Sequence, residues 1–294
     1  MKQNSFAVIG GDFRSVMAAQ QLAEAGFSVR AYGFDNTCAL PSDVVLTDTL
    51  NEALSHSFYM ILPLPALAPC GTKINTPLYS GEILVDDFIK LLPRECFVLG
   101  GMLKNPLTEY LKEYHIPFSD YFLREEFAVA NAVPTAEGAI EIALHETPYT
   151  LCGSSCLITG YGRIGKLLAK DLAALGASVT VCARRPESLA WIQANGFTAS
   201  SFAHLEENIS TYDIVFNTVP APLFCGEMLR KIRKDTLIID LASKPGGVDF
   251  EDAARLGLNV IWALSLPGKC APKTAGAIIC DTICNIIRET EVGV

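Results

Sequence analysis

The chain has 294 residues, 32 acidic side chains against 23 basic ones, a formal charge of −9 and 50% hydrophobic residues. At roughly 150 residues per domain, that length predicts two domains, each able to bury its own core. Charged residues make up 19%, below the roughly 25% usual in soluble proteins, which excludes a disordered chain. The acidic balance argues against a nucleic-acid binder, because neutralising phosphates takes clustered Lys and Arg. It does not argue against a small anionic ligand, which responds to the local field of one cleft.

A membrane span needs about 20 nearly unbroken apolar residues. The most tempting run, residues 59–69 (YMILPLPALAP), is short and carries Pro63, Pro65 and Pro69; it reads as a buried strand entering a loop. The start, MKQNSFAVIGGDF, has one Lys and too short an apolar run for a secretory leader. A cytoplasmic protein without membrane contact is expected. The ten cysteines, at 38, 70, 96, 152, 156, 182, 225, 270, 280 and 284, form no C-x-x-C pair. Cys280 and Cys284 share a helix face, but no His or second Cys pair completes a metal set. Buried free thiols and no metal are the expectation.

In chain order, strands are predicted at 6–10, 27–32, 44–46, 58–62 and 96–99, with helices at 14–25, 86–92 and 106–114. Gly26 stops the first helix and Pro106 opens the third. Residues 66–81 read as a long Pro/Gly-bearing loop of the kind that often carries function. Helices at 122–129 and 135–145 are expected on either side of Pro134, the second linking two domains. Further strands follow at 156–159, 179–182, 214–217, 237–240 and 259–263. Helices are read at 163–175, 187–195, 223–231, 250–256 and about 275–289. Alternating strands and helices predict parallel sheets covered on both faces. The expected division is 1–133 plus about 275–294, a linking helix at 134–150, and a second domain at 151–274.

The strongest motif is Gly160-Tyr161-Gly162-Arg163-Ile164-Gly165, a G-x-G-x-x-G between a strand and a helix. The first glycine permits the turn, the second lets a pyrophosphate approach, and the third allows close helix–strand packing. The helix start adds amides and a positive dipole end. The fold class is therefore α/β: two doubly wound parallel-sheet domains, the second a Rossmann dinucleotide-binding domain, with the C-terminal helix returning to the first. A site for NAD usually ends its second strand with an acid; here that strand runs into Ala183-Arg184-Arg185-Pro186. Two guanidiniums suit a 2′-phosphate, which favours NADP, while Glu187 keeps NAD open.

Thr218, Val219 and Pro220 follow the fourth strand of this domain, and Ala242 the next, at the strand ends where open α/β sheets bind ligands. The segment 265–276 places Lys269 and Lys273 ahead of the last helix. At the first strand, Gly10-Gly11-Asp12-Phe13-Arg14 lacks the dinucleotide spacing, and its Asp and Arg suit substrate recognition instead. The four histidines, at 56, 115, 145 and 204, fit no catalytic pattern.

The sequence resembles the family of dipicolinate synthase A subunits, through VIGGDFR, GYGRIG with CARRP, NTVPAP, IIDLASKPGGVDF and SLPGKCAPKTAG, over nearly the whole chain. More distantly it is similar to D-2-hydroxyacid dehydrogenases and S-adenosylhomocysteine hydrolase. The resemblance implies NAD(P)+-dependent oxidation of a dihydrodipicolinate-type ring, derived from 4-hydroxytetrahydrodipicolinate, in the mother cell of a sporulating bacterium. It also implies a partner, the B subunit, itself similar to flavin-dependent decarboxylases. Loop position and charge then suggest Asp12 and Lys269 as catalytic candidates, and Arg14 and Lys273 as partners for the two substrate carboxylates. A D-2-hydroxyacid-type dehydrogenase and a non-catalytic NADP-binding partner of the B subunit stay open, as does homo-oligomerisation.

Overall fold

The computed structural model describes residues 4–35 and 40–292; Cys38 lies outside them. It divides into one unit of Met1–Asn131 with Ala271–Val294 and another of Ala132–Cys270. The first unit runs β1 (Ser5–Ile9), α1 (Phe13–Glu24), β2 (Ser28–Tyr32), β3 (Val44–Leu46), α2 (Leu50–Ser55) and β4 (Tyr59–Ile61). It continues through α3 (Val85–Leu91), β5 (Phe97–Gly100), α4 (Leu107–Glu113) and β6 (Phe118–Asp120) into the start of α5 (Glu125–Glu146). The second unit holds the rest of α5, then β7 (Ser155–Thr159), α6 (Arg163–Ala174), β8 (Ser178–Ala183), α7 (Pro186–Ala194) and β9 (Thr198–Ser201). After it come α8 (Leu205–Asn208), β10 (Ile214–Asn217), α9 (Glu227–Arg230), β11 (Leu237–Asp240), α10 (Phe250–Arg255), β12 (Asn259–Trp262) and α11 (Leu266–Cys270). The last helix, α12 (Pro272–Val292), belongs to the first unit.

Both sheets have six parallel strands, ordered β3-β2-β1-β4-β5-β6 and β12-β11-β10-β7-β8-β9. Counted within its own sheet, each is 3-2-1-4-5-6, the doubly wound order whose ligand crevice opens where the winding reverses. That point lies between β1 and β4 in one unit, and between β7 and β10 in the other. The central strands are mostly apolar because both of their faces are covered.

The C-terminal helix covers the first sheet by packing on α1. A Cβ at Gly276 would lie 2.5 Å from the Met17 Cβ and 2.8 Å from the Arg14 carbonyl oxygen, so only glycine allows the two backbones this close. Ile279, Ile283 and Ile286 then join Val16, Ala19 and Leu22 in one core. Arg124 grips Glu289 with two hydrogen bonds of 2.6 and 2.7 Å, holding the turn before α5 to α12.

Several expectations are corrected. The helices expected on either side of Pro134 are one helix, α5, with the proline inside it. Pro134 removes one helical hydrogen bond, but Ala132, Ala136, Ala139 and Ala143 put a buried small-residue stripe on one face. A Cβ at Gly138 would sit 2.8 Å from the Cys270 sulfur, and the Cys270 thiol donates to the Pro134 carbonyl at 3.2 Å. Dense packing keeps the helix continuous. By length and composition α5 is apolar enough to cross a membrane, yet its stripe lies in the core of the second unit.

The edge strands β6 and β9 and the short helix α2 are additions to the expected elements. Residues 266–270 are helical rather than loop, and the helix expected at 223–231 is only α9. The long loop after β4 is pinned by the bridges Leu67–Ile74 and Lys73–Leu84. Among the described cysteines, all free, Cys70, Cys152 and Cys225 are exposed rather than buried. No group of His, Cys, Asp and Glu among the described residues is arranged to hold a metal.

Candidate functional site

The turn from β7 into α6 uses each glycine of its motif differently. Gly160 has φ +97°, and a Cβ there would lie 2.3 Å from Thr218 Oγ1; its amide donates to the Cys182 carbonyl at 2.8 Å. At Gly165 a Cβ would lie 2.2 Å from the Gly160 carbonyl oxygen, so the helix start rests directly on the strand end. Gly162 is different: its φ of −87° suits any residue, and an added Cβ would meet nothing within 4 Å. Glycine at 162 keeps a space in front of the helix clear. No side chain caps α6, so its positive end faces that space, an arrangement that favours a negatively charged group.

The equivalent turn of the first unit is closed by its own residues. Asp12 caps α1, accepting from the Arg14 amide at 3.0 Å. The Arg14 guanidinium folds back onto that carboxylate, with Nε to Oδ1 at 2.9 Å and Nη2 to Oδ2 at 2.7 Å. Nη2 also donates to the Leu64 carbonyl across the β1–β4 reversal. An anion and its counter-ion thus occupy the helix start that the second unit leaves clear. Asp12 and Arg14 are brought together as a bidentate pair, with the arginine side chain 9% exposed. Burial also drives the neighbouring Tyr121 phenol well above its usual range, and its hydroxyl donates to the Leu62 carbonyl at 3.0 Å.

At the carboxyl edge of the second sheet lies a polar network that sequence reasoning missed. Thr159, Asn217 and Asp240 end β7, β10 and β11 and are fully buried. Thr159 Oγ1 donates to Asn217 Oδ1 at 2.6 Å, and Asn217 Nδ2 donates to Asp240 Oδ1 at 2.8 Å. Asp240 also accepts from the amides of Ala242 at 3.0 Å and Gly247 at 2.8 Å. Asn217 pairs with both backbone groups of Val219, and the Thr218 hydroxyl donates to the Thr159 carbonyl at 2.8 Å. The Ala242 carbonyl accepts the Trp262 indole at 3.0 Å. The backbones of Val219 and Ala242 are therefore committed internally, so these residues offer a ligand shape and apolar contact rather than amide donors. The available signal was a single Asn or Asp closing an otherwise apolar strand, as in IVFN and LIID.

Of the other candidates, Arg184 and Arg185 are exposed after β8. Arg185 pairs loosely with Glu187 at 3.7 Å. Burial pushes the Cys182 thiol beneath this edge up to about 12, so it stays neutral. Arg163 is exposed and Ile164 half-buried in the first turn of α6. Lys269 is exposed on α11, where it lines a cavity of about 320 Å³ with Glu141, His145 and Trp262. Lys273 is exposed in the first turn of α12. By unit, Asp12, Arg14 and Lys273 fall in the first, and Lys269 with the glycine motif in the second. All four histidines are exposed, and none joins the buried network.

Two family models match, one within each unit. Residues 5–122 match the model of the N-terminal domain of the dipicolinate synthase A subunit. Residues 133–249 match that of the D-isomer specific 2-hydroxyacid dehydrogenase, NAD binding domain. The dipicolinate synthase A subunit of Bacillus subtilis (strain 168) is 33% identical over 287 residues, covering 97% of this chain and 96% of its own. The crystal structure of the same subunit from Bacillus halodurans superposes with a TM-score of 0.88 at 29% identity, covering 97% and 98% of the two chains. A transhydrogenase from Sinorhizobium meliloti shares the fold, with a TM-score of 0.72 at 17% identity over 97% and 94%. The second unit thus carries a nicotinamide-dinucleotide-binding dehydrogenase domain, and the clear space before α6 fits the pyrophosphate of such a cofactor.

Proposed function

The chain belongs to the family of dipicolinate synthase A subunits, and from that premise we propose that it oxidises a dihydrodipicolinate-type ring, derived from 4-hydroxytetrahydrodipicolinate, to pyridine-2,6-dicarboxylate. The observation that carries the reading is the uncapped α6 start behind Gly160, Gly162 and Gly165, set against the self-occupied start of α1. A bound nicotinamide dinucleotide would supply the hydride acceptor, and aromatisation of the ring would supply the driving force. The chain's own task is to orient the ring and remove one proton. Asp12 is proposed as the proton acceptor. Arg14, whose Nε and Nη2 hold Asp12 and Leu64, offers its Nη1 to a substrate carboxylate. Lys269 and Lys273 supply the remaining positive charge. Gly160, Gly162, Arg163, Ile164, Gly165, Thr218, Val219, Pro220 and Ala242 are proposed to cradle the dinucleotide. The reaction is proposed to run in the cytoplasm of the sporulating mother cell, in partnership with a B subunit.

A spectrophotometric assay tests this directly: purified chain, fresh product of dihydrodipicolinate synthase, and NADP+ or NAD+, with and without the B subunit. Reduced cofactor and dipicolinate forming together without the B subunit would place the chemistry in this chain, and turnover only with both would make it a dependent catalytic partner. One observation favours a second reading, a non-catalytic cofactor-binding partner: the Asp12 carboxylate is already engaged by Arg14. Cofactor binding without turnover, in the presence of the B subunit, would select it.

Two substitutions divide the proposed roles. Lys269→Met is expected to lower kcat/KM more than tenfold while sparing dinucleotide affinity; unchanged kinetics remove Lys269 from the site. Arg184→Ala combined with Arg185→Ala is expected to weaken NADP+ at least tenfold and NAD+ little, because a 2′-phosphate needs paired donors. Equal losses for the two cofactors would refute the preference for NADP.

A further inference from the structure

Between α6 and α7 the second unit holds a cavity of about 480 Å³ that the proposed reaction does not use. Tyr161, Lys166, Lys170, Trp191, Asn195 and Phe197 line it. No acidic residue does, in a chain of net charge −9. Lys166 and Lys170 stand four residues apart, one turn above the other on α6, and neither makes an ion pair among the described residues. Asp171, the next residue along, lines a different groove with Glu137 and Glu141. The helix therefore sorts its charges, turning only the cations toward this cavity.

Three of the lining residues, Tyr161, Trp191 and Phe197, present flat aromatic rings. Trp191 is 64% exposed, which leaves a large hydrophobic ring uncovered at the rim. The Lys166 ammonium lies 5.6 Å from the centre of the Tyr161 ring, within cation–π range. The Asn195 amide donates to the Trp191 carbonyl at 2.8 Å, which ties the end of α7 to the cavity wall.

From this arrangement we infer that the α6–α7 cavity is a second small-molecule site, taking a planar aromatic dicarboxylate. The rings accept a flat apolar body, and two separate ammonium groups suit two separate carboxylates. Lysine ammoniums are compact point charges, each able to pair with one carboxylate. The product proposed above falls in this class. The inference deepens that reading to this extent: the enzyme holds its product at a place other than where it forms, against Tyr161 inside the glycine turn.

The test is tryptophan fluorescence of the full chain titrated with pyridine-2,6-dicarboxylate, without dinucleotide. Saturable quenching is expected, with the quenched component absent from Trp191→Phe. Lys166→Gln combined with Lys170→Gln should weaken the midpoint at least tenfold, with unchanged far-ultraviolet circular dichroism. Benzoate, with one carboxylate, should bind at least tenfold more weakly, and AMP should not compete. Quenching that survives in the double lysine variant, or its absence from the folded parent chain, overturns the site. AMP competing at equal strength reassigns it to nucleotides and overturns the proposed ligand class. No turnover is read, so an inactive chain would refute the reaction while leaving this result standing.

Discussion

Replacing Gly162 with alanine should leave the thermal melting point within about 1 °C of the parent while weakening NAD(P)+ binding more than tenfold, a loss of about 1.4 kcal/mol. The backbone at 162 is ordinary, and the added methyl meets no protein atom within 4 Å. The protein itself therefore has no stake in glycine here, and only a ligand pressed against the helix start does. Gly165→Ala should behave in the opposite way. Its methyl would be driven to 2.2 Å from the Gly160 carbonyl, and α6 would have to lift from β7. Overpacking of this kind costs about 1–3 kcal/mol, so melting should fall by several degrees and binding should fail with it. Calorimetric titration and thermal melts of both variants decide the matter. If Gly162→Ala binds like the parent, the space before α6 is not where the pyrophosphate lies.

The second large effect is expected at Asp240. Its buried carboxylate accepts from the Asn217 amide and from the backbone of Ala242 and Gly247. Asp240→Ala strands all three donors without water, at about 1–3 kcal/mol apiece. A total loss of about 3–9 kcal/mol would lower the melting temperature by roughly 10 °C or more. Asp240→Asn keeps the shape but turns an amide toward one donor, so it should lose about half as much. Because the same carboxylate holds the loop at 241–247, dinucleotide affinity should fall in parallel. A melting point for the alanine variant within a degree or two of the parent would show that the network is dispensable.

The central strands were legible because each is a short apolar run closed by glycine or a polar turn, and burial on both faces produces that pattern. Two of the four edge strands, β6 and β9, were not. FSD in β6 and TASS in β9 are brief and half-exposed, so neighbouring strands rather than side-chain burial define them. Pro134 was misread for a related reason: local chemistry argues for a break, and contacts with Cys270, distant in sequence, override it. The glycine motif announced its own site, because Gly160 and Gly165 meet steric demands of the turn and Gly162 leaves room for a ligand. Thr159, Asn217 and Asp240 did not, since their roles exist only once three strands lie side by side. The pairing of Asp12 with Arg14 was not read from the sequence, which offered both side chains to substrate, and the reach of Arg14 to Leu64 depends on sheet order.

The first unit is assembled from the two extremities of the chain, while the second is a single uninterrupted stretch. On the ribosome this imposes an order of events. The N-terminal sheet emerges first, with the face of α1 that α12 will cover still bare, and waits while the whole second unit is made. At roughly 5–20 residues per second the delay is on the order of ten seconds. The second unit can be complete before the first has its last helix. Nascent chains stalled inside residues 132–270 should accordingly display a hydrophobic surface that the finished protein hides, and should be bound by chaperones in proportion to that delay.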